Sequence, residues 1–246
     1  MRSMKKYLPI GVVVVVVLGG GFFAYRALSN RPSVVEEEEE APDLPFDQRP
    51  FTKLVPRPDG HYLDLFVEDV DVPGAVSMDY ELIYTTAAGI TQGVPGIVKL
   101  KGNDSVEREL LLGSESSGKF RYDEGVEIGM LTLKFRNEDG KLIGKVRTNW
   151  HLQKAPVSEL TDVDGTFTYT LDAETDVNFV TMNAFGLPAP AASTVVYGPI
   201  GVYPSEEGPF SGTIEMAGSN VERWDGEEWA SVSGSSDDIG VFVSGN

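Results

Sequence analysis

The chain has 246 residues, no cysteine and a formal net charge of −18, with 41% hydrophobic and 10% aromatic residues. That apolar share suffices for ordinary cores, while the lack of cysteine excludes disulfides, thiolate metal sites, a cysteine nucleophile and the acylated cysteine of a bacterial lipoprotein. So much negative charge repels phosphate backbones, whose affinity for proteins comes chiefly from Lys and Arg displacing counterions, and it excludes DNA and RNA as ligands.

Residues 7–25 carry no formal charge and include six consecutive valines, 12–17. At ~1.5 Å per residue such a helix nearly crosses a ~30 Å hydrocarbon core, so a single transmembrane helix is expected. Arg2, Lys5 and Lys6 precede the run, and Arg26 and Arg31 follow it; the small basic excess sets residues 1–6 in the cytoplasm as a basic tail and everything downstream outside. The rival reading is a cleaved signal peptide, but the apolar core exceeds the ~7–15 residues usual there, and Arg or Tyr occupies positions where a cleavage site wants small residues. Gly20 and Ala24 form a small-xxx-small pair suited to packing two such helices together. Cysteine avoidance in an exported chain points to bacteria.

Residues 26–58 hold Pro32, Pro42, Pro45, Pro50, Pro56 and Pro58 together with the acidic run Glu36, Glu37, Glu38, Glu39 and Glu40. Proline stiffness and like-charge repulsion predict a disordered, extended acidic Pro-rich linker.

From His61 onward apolar residues recur with period two between Gly, Pro, Asn and Asp, which is the signature of strands. Strands are expected at 63–68, 77–84, 94–101, 106–112, 119–123, 130–136 and 141–152, with Leu131, Leu133, Phe135, Val146, Thr148, Trp150 and Leu152 facing a core. Asp139-Gly140 is expected to be a type I′ turn, since both central residues of that turn need positive φ. Residues 113–118, rich in Ser and Gly, read as a loop. Ala155-Pro156 marks a boundary, because proline interrupts strand pairing and the charge changes there. Beyond it stand fifteen acidic side chains against one basic, Arg223. Further strands are expected near 166–171, 177–183, 194–197, 212–216, 221–224, 228–232 and 239–243. About seven strands per block resemble an immunoglobulin or fibronectin type III sandwich in pattern. The expected fold is therefore all-β: two tandem immunoglobulin/fibronectin-like β-sandwich domains, 59–154 and an acidic 157–246, behind the helix and the linker.

Trp224 and Trp229 flank Asp225-Gly226-Glu227-Glu228. A two-residue Gly226-Glu227 loop opposes the two rings directly and an Asp225-Gly226 loop sets them diagonally; either register puts both on one face, suited to stacking on a sugar or a partner protein or to capping a core. Lys134, Arg136, Lys145 and Arg147 fall on the outer face of the 130–152 hairpin. An Asp139-Gly140 loop sets Lys134 opposite Lys145, a like-charge pair that invites an anion. These six residues are the candidate ligand-binding set.

No catalytic residue and no metal ligand is assigned. His61 and His151 lack partners at zinc-ligand spacing, no G-x-S-x-G elbow is present, and carboxylate pairs are too many to be informative. No cofactor is expected. The acidic clusters at Asp69 and Asp71, Asp162 and Asp164, and Asp172, Glu174 and Asp176 leave room for calcium only in a loop unlike an EF-hand, at the domain junction. A buried Lys53, Glu81 and Asn149 trio would permit an intramolecular isopeptide bond.

The sequence thus points to a non-enzymatic, membrane-anchored, cell-surface module engaging a partner protein or an envelope polysaccharide. The alternative is a membrane-tethered assembly factor or pilin-like envelope subunit, and an anchored hydrolase comes behind both.

Overall fold

Leu63, Leu65 and Val67 are fully buried while the residues between them reach solvent, and this alternation is what builds the first half of the molecule. Each such side chain contributes about 1.5–3 kcal/mol relative to exposure. A computed structural model describes residues 42–101, 104–191 and 193–245; the nineteen-residue apolar run, the five-Glu run and the small-xxx-small pair lie outside these residues. Among the described residues no helix is long and apolar enough to cross a membrane, and the only helical element is a 3-10 turn at Phe46–Gln48.

The fold is all-β, with several stacked sheets of the kind a β-sandwich has. In chain order the strands are β1 (Phe51–Pro56), β2 (Tyr62–Val70), β3 (Ser77–Thr85), β4 (Thr91–Lys99), β5 (Asp104–Leu111), β6 (Gly113–Ser116), β7 (Lys119–Tyr122), β8 (Ile128–Arg136) and β9 (Leu142–Gln153). After Pro156 come β10 (Val157–Thr161), β11 (Phe167–Thr175), β12 (Phe179–Asn183), β13 (Val195–Pro204), β14 (Gly212–Met216), β15 (Ser219–Trp224), β16 (Trp229–Val232), β17 (Ser235–Ser236) and β18 (Val241–Gly245).

One nine-stranded sheet, in the order β16-β15-β18-β13-β12-β9-β8-β3-β4, runs through the molecule. A three-stranded sheet, β1-β2-β5, and a four-stranded sheet, β10-β11-β14-β17, accompany it. The link across the 155–156 boundary is direct: β12 pairs antiparallel with β9, Met182 opposite Trp150 and Val180 opposite Leu152. Strands from both sides of the boundary therefore share one hydrogen-bonded sheet.

Two hydrophobic clusters fill the layers. Val180 and Met182 of β12, Tyr203 of β13 and Val241 of β18 join the cluster built on Leu65, Leu133 and Trp150. Phe179 of β12, Ile200 and Val202 of β13 and Phe242 of β18 join the other, built on Tyr169 and Phe167. Successive side chains of a strand point to opposite faces, so these three strands are covered on both. Their buried runs are continuous for that reason, four residues in β12 and five in β18.

Four expectations need correction. Residues 51–56, assigned to the linker, form β1, paired with β2 through Leu54 opposite Leu65; two prolines at the ends of a strand leave its interior amides free to pair. The end of the linker is also docked. Leu44 N–H donates to the Lys145 carbonyl at 3.1 Å, the Arg49 side chain donates to the Leu44 carbonyl at 2.9 Å, and Leu44 is 4% exposed. Residues 113–118 are not a loop but β6 and its turn. Finally, Asp139-Gly140 is not a type I′ turn: Gly140 has φ +75° but Asp139 does not join it at positive φ. The Asn137 carboxamide instead accepts the N–H groups of Asp139 and Lys141, closing a three-residue loop. A bulge after Phe135 then restores the expected register, so Lys134 still faces Lys145.

Candidate binding site

Trp224 pairs directly with Trp229 across β15 and β16, the register of the Gly226-Glu227 loop. Asp225 makes that turn: its Oδ1 accepts the N–H groups of Glu227 and Glu228, each at 2.9 Å, and those bonds hold its carboxyl below its ordinary pKa. The two rings lie 5.6 Å apart and tilted by 55°. Both are half-buried against the first cluster, and the Trp229 indole N–H donates to the Ala189 carbonyl at 3.0 Å. The pair seals one end of the core while leaving part of each ring in solvent.

On the basic face Lys134 does lie opposite Lys145, yet the counter-charge is close at hand. Asp79 of β3 is the cross-strand neighbour of Lys134 and accepts from Arg136 Nε at 2.7 Å. Reasoning confined to one hairpin missed it, because the third strand is 55 residues upstream of Lys134. Arg147 is exposed beside Thr132.

Of the acidic clusters, the one at Asp162 has a turn-forming role. Asp162 Oδ1 accepts the N–H groups of Thr166 and Phe167, and its Oδ2 the Thr166 hydroxyl, which folds the β10–β11 turn. Among the described residues no three His, Asp or Glu side chains converge as metal ligands would. The isopeptide trio does not assemble: Lys53 pairs with Glu68 at 2.5 Å, and Asn149 is exposed on β9.

The feature that sequence reading passed over is the β6–β7 hairpin. Among the described residues it pairs only with itself, and it projects as a finger on a turn in which Ser117 and Gly118 both have positive φ, +54° and +76°. This is the dihedral pattern of a type I′ turn, and the Ser-Gly dipeptide was its sequence signal. Register sets Phe120, Tyr122 and Glu115 on one face and Lys119, Arg121 and Ser114 on the other.

The base of the finger is tied down. Leu112 N–H donates to the His61 carbonyl and Asp123 N–H to the Leu112 carbonyl, and the Tyr84 hydroxyl donates to Asp123 Oδ2 at 2.9 Å. Burial, reinforced by that bond, pushes the Tyr84 pKa well up. The His61 ring stacks on Tyr122 at 3.9 Å and 7°, Phe120 lies 6.3 Å further along at 14°, and Tyr62 meets Tyr122 edge-on. Arg57 sits 5.0 Å over Tyr62 and is itself held by Asp64 and Glu109. The ladder ends in the open: Tyr122 is 39% and Phe120 51% exposed.

Compared with known protein families, curated proteins and solved structures, the chain matches none.

Proposed function

We propose that the chain is a single-pass, membrane-tethered display module, with residues 1–6 in the cytoplasm, residues 7–25 in the membrane, the following acidic Pro-rich segment as a spacer, and the β-unit outside the cell. In this reading the β-unit is two immunoglobulin/fibronectin-like halves sharing one sheet, and it captures a partner protein rather than performing chemistry. The finger carries the binding role. An isolated two-stranded hairpin is marginal at best in water, yet this one presents Phe120 and Tyr122 in the open, and a few large side chains of this kind, Tyr among them, carry much of the binding energy in protein interfaces.

Trp224 and Trp229, and the Lys134, Arg136, Lys145 and Arg147 face, enter the proposal as secondary contacts. They come second because Trp229 and Arg136 already spend polar groups on Ala189 and Asp79.

A specific observation supports the assembly reading as a second possibility. The finger's other face carries Lys119 and Arg121, and residues 155–246 are strongly acidic, so a second copy offers a complementary surface. Photo-cross-linking from benzoylphenylalanine at position 120, in the full-length chain in its membrane, separates the two. Display gives a discrete adduct with a different protein, and assembly gives an adduct of two chains. No adduct from position 120 beside a strong one from position 224 would move the contact to the tryptophan hairpin.

A further inference from the structure

A cleft of about 250 Å³ opens where β12 ends, between the β10–β11 turn and the first residues of β13. Met182 and Ile200, both nearly buried, contribute to its lining. One wall is Tyr197, 47% exposed, whose ring rests against Gly218: a β-carbon there would come within 3.1 Å of Tyr197 Cδ2. Asn149 and Asp164 line it too, both exposed and neither side chain engaged in a hydrogen bond within the described residues. Asn183, also in the lining, spends its carbonyl oxygen on Phe185 N–H, which leaves its NH₂ as a donor pair.

We infer that this cleft binds one neutral sugar ring. An exposed tyrosine offers an apolar face with a polar edge, which suits the C–H face of a pyranose, while two carboxamides and a carboxylate supply both donors and acceptors for hydroxyl groups. Among the described residues no Lys or Arg lines the cleft, while Asp162 and Asp164 do, so a uronic or sialic acid is repelled. A divalent cation is poorly served as well. Calcium wants six to eight oxygens, and both Asp162 oxygens are already committed to the turn. The volume falls below the ~300–1,000 Å³ of clefts that enclose drug-sized ligands, so the site holds a single ring or the end of a chain.

This inference uses none of the residues of the finger, and either can fail without the other. The test is saturation-transfer NMR on the full-length chain in detergent micelles. The probes are methyl glucoside and methyl N-acetylglucosaminide, with methyl glucuronide as the anionic control. Transfer to at least one neutral glycoside and none to the glucuronide is expected. Tyr197→Ala and Asn149→Ala should each weaken binding about tenfold, while Tyr197→Phe retains most of it and Phe120→Ala leaves it unchanged. Thermal unfolding of each variant shows whether the fold survives. Absence of transfer to both neutral probes in the unsubstituted chain, equal transfer to the glucuronide, or undiminished binding in folded Tyr197→Ala would overturn the assignment.

Discussion

A β-carbon on Gly144 would lie 2.3 Å from Leu44 Cδ2, so the glycine is the socket into which the docked end of the linker plugs. The obstacle is a movable side chain rather than backbone, and Gly144→Ala is expected to eject residues 42–50 without unfolding the sheets. Limited proteolysis should then cut that segment first, while the unfolding transition of the β-unit persists. Arg223 makes a different kind of contact. It is 8% exposed, its two terminal nitrogens donate to the Ile239 carbonyl at 3.2 Å and to Asp237 at 2.8 Å, and a lysine cannot reproduce that fork. Arg223→Lys should cost about 1–3 kcal/mol in chemical denaturation. At Asp225 the lowered carboxyl pKa sets the sign of a pH effect. The ionised form is favoured in the folded state, so its contribution is present above the ordinary value of 3.8 and is lost as the pH falls through the lower, folded value. Asp225→Ala should therefore lower the melting temperature at neutral pH and converge with the unsubstituted chain at strongly acidic pH.

At the scale of elements, what the sequence disclosed and what it hid follow from how many faces of a strand are covered. Where one face is wet, as in β2 and β9, burial alternates, and Val146, Trp150 and Leu152 were legible as core, as were Leu131, Leu133 and Phe135 of β8. Where both faces are covered the period vanishes. Phe179, Val180, Thr181 and Met182 give no clue that they serve two different clusters, and so the fusion of the halves through β9 and β12 was not readable. The second half of β13 was hidden behind Gly198 and Pro199, and β1 behind the prolines of the linker. The tryptophan pair was visible because a turn lies between its members. The finger was not, because its turn signal sat in a Ser-Gly stretch that composition assigns to loops, and its stacking partner His61 comes from a distant part of the chain. Hydrogen exchange should reproduce this layering. Amides of β12, β13 and β18 are expected to be the slowest, near the global opening limit, and those of β6 and β7 to exchange by local fraying. Uniform protection across both sets would contradict the assignment of layers.

The whole molecule combines an uncharged amino-terminal run, an acidic spacer and a β-unit whose charge is concentrated beyond residue 155. The first described residues are docked on the β-unit: Asp43 pairs parallel with Lys145 of β9, and Leu44 is buried. The docked segment has a measurable value: Leu44→Ala should cost about 2–5 kcal/mol of stability, as for other buried leucines. Everything proposed for the finger and the cleft as contact surfaces outside the cell depends on the chain crossing the membrane once, with its amino terminus inside. The absence of native cysteine makes this directly measurable with a membrane-impermeant maleimide on intact cells carrying either Ser3→Cys or Ser233→Cys. Labelling of position 233 before permeabilisation and of position 3 only afterwards, with both proteins in the membrane pellet, is the expected result. Protection of position 233 until the cells are lysed, or recovery of the full-length chain in the soluble fraction, would contradict the account.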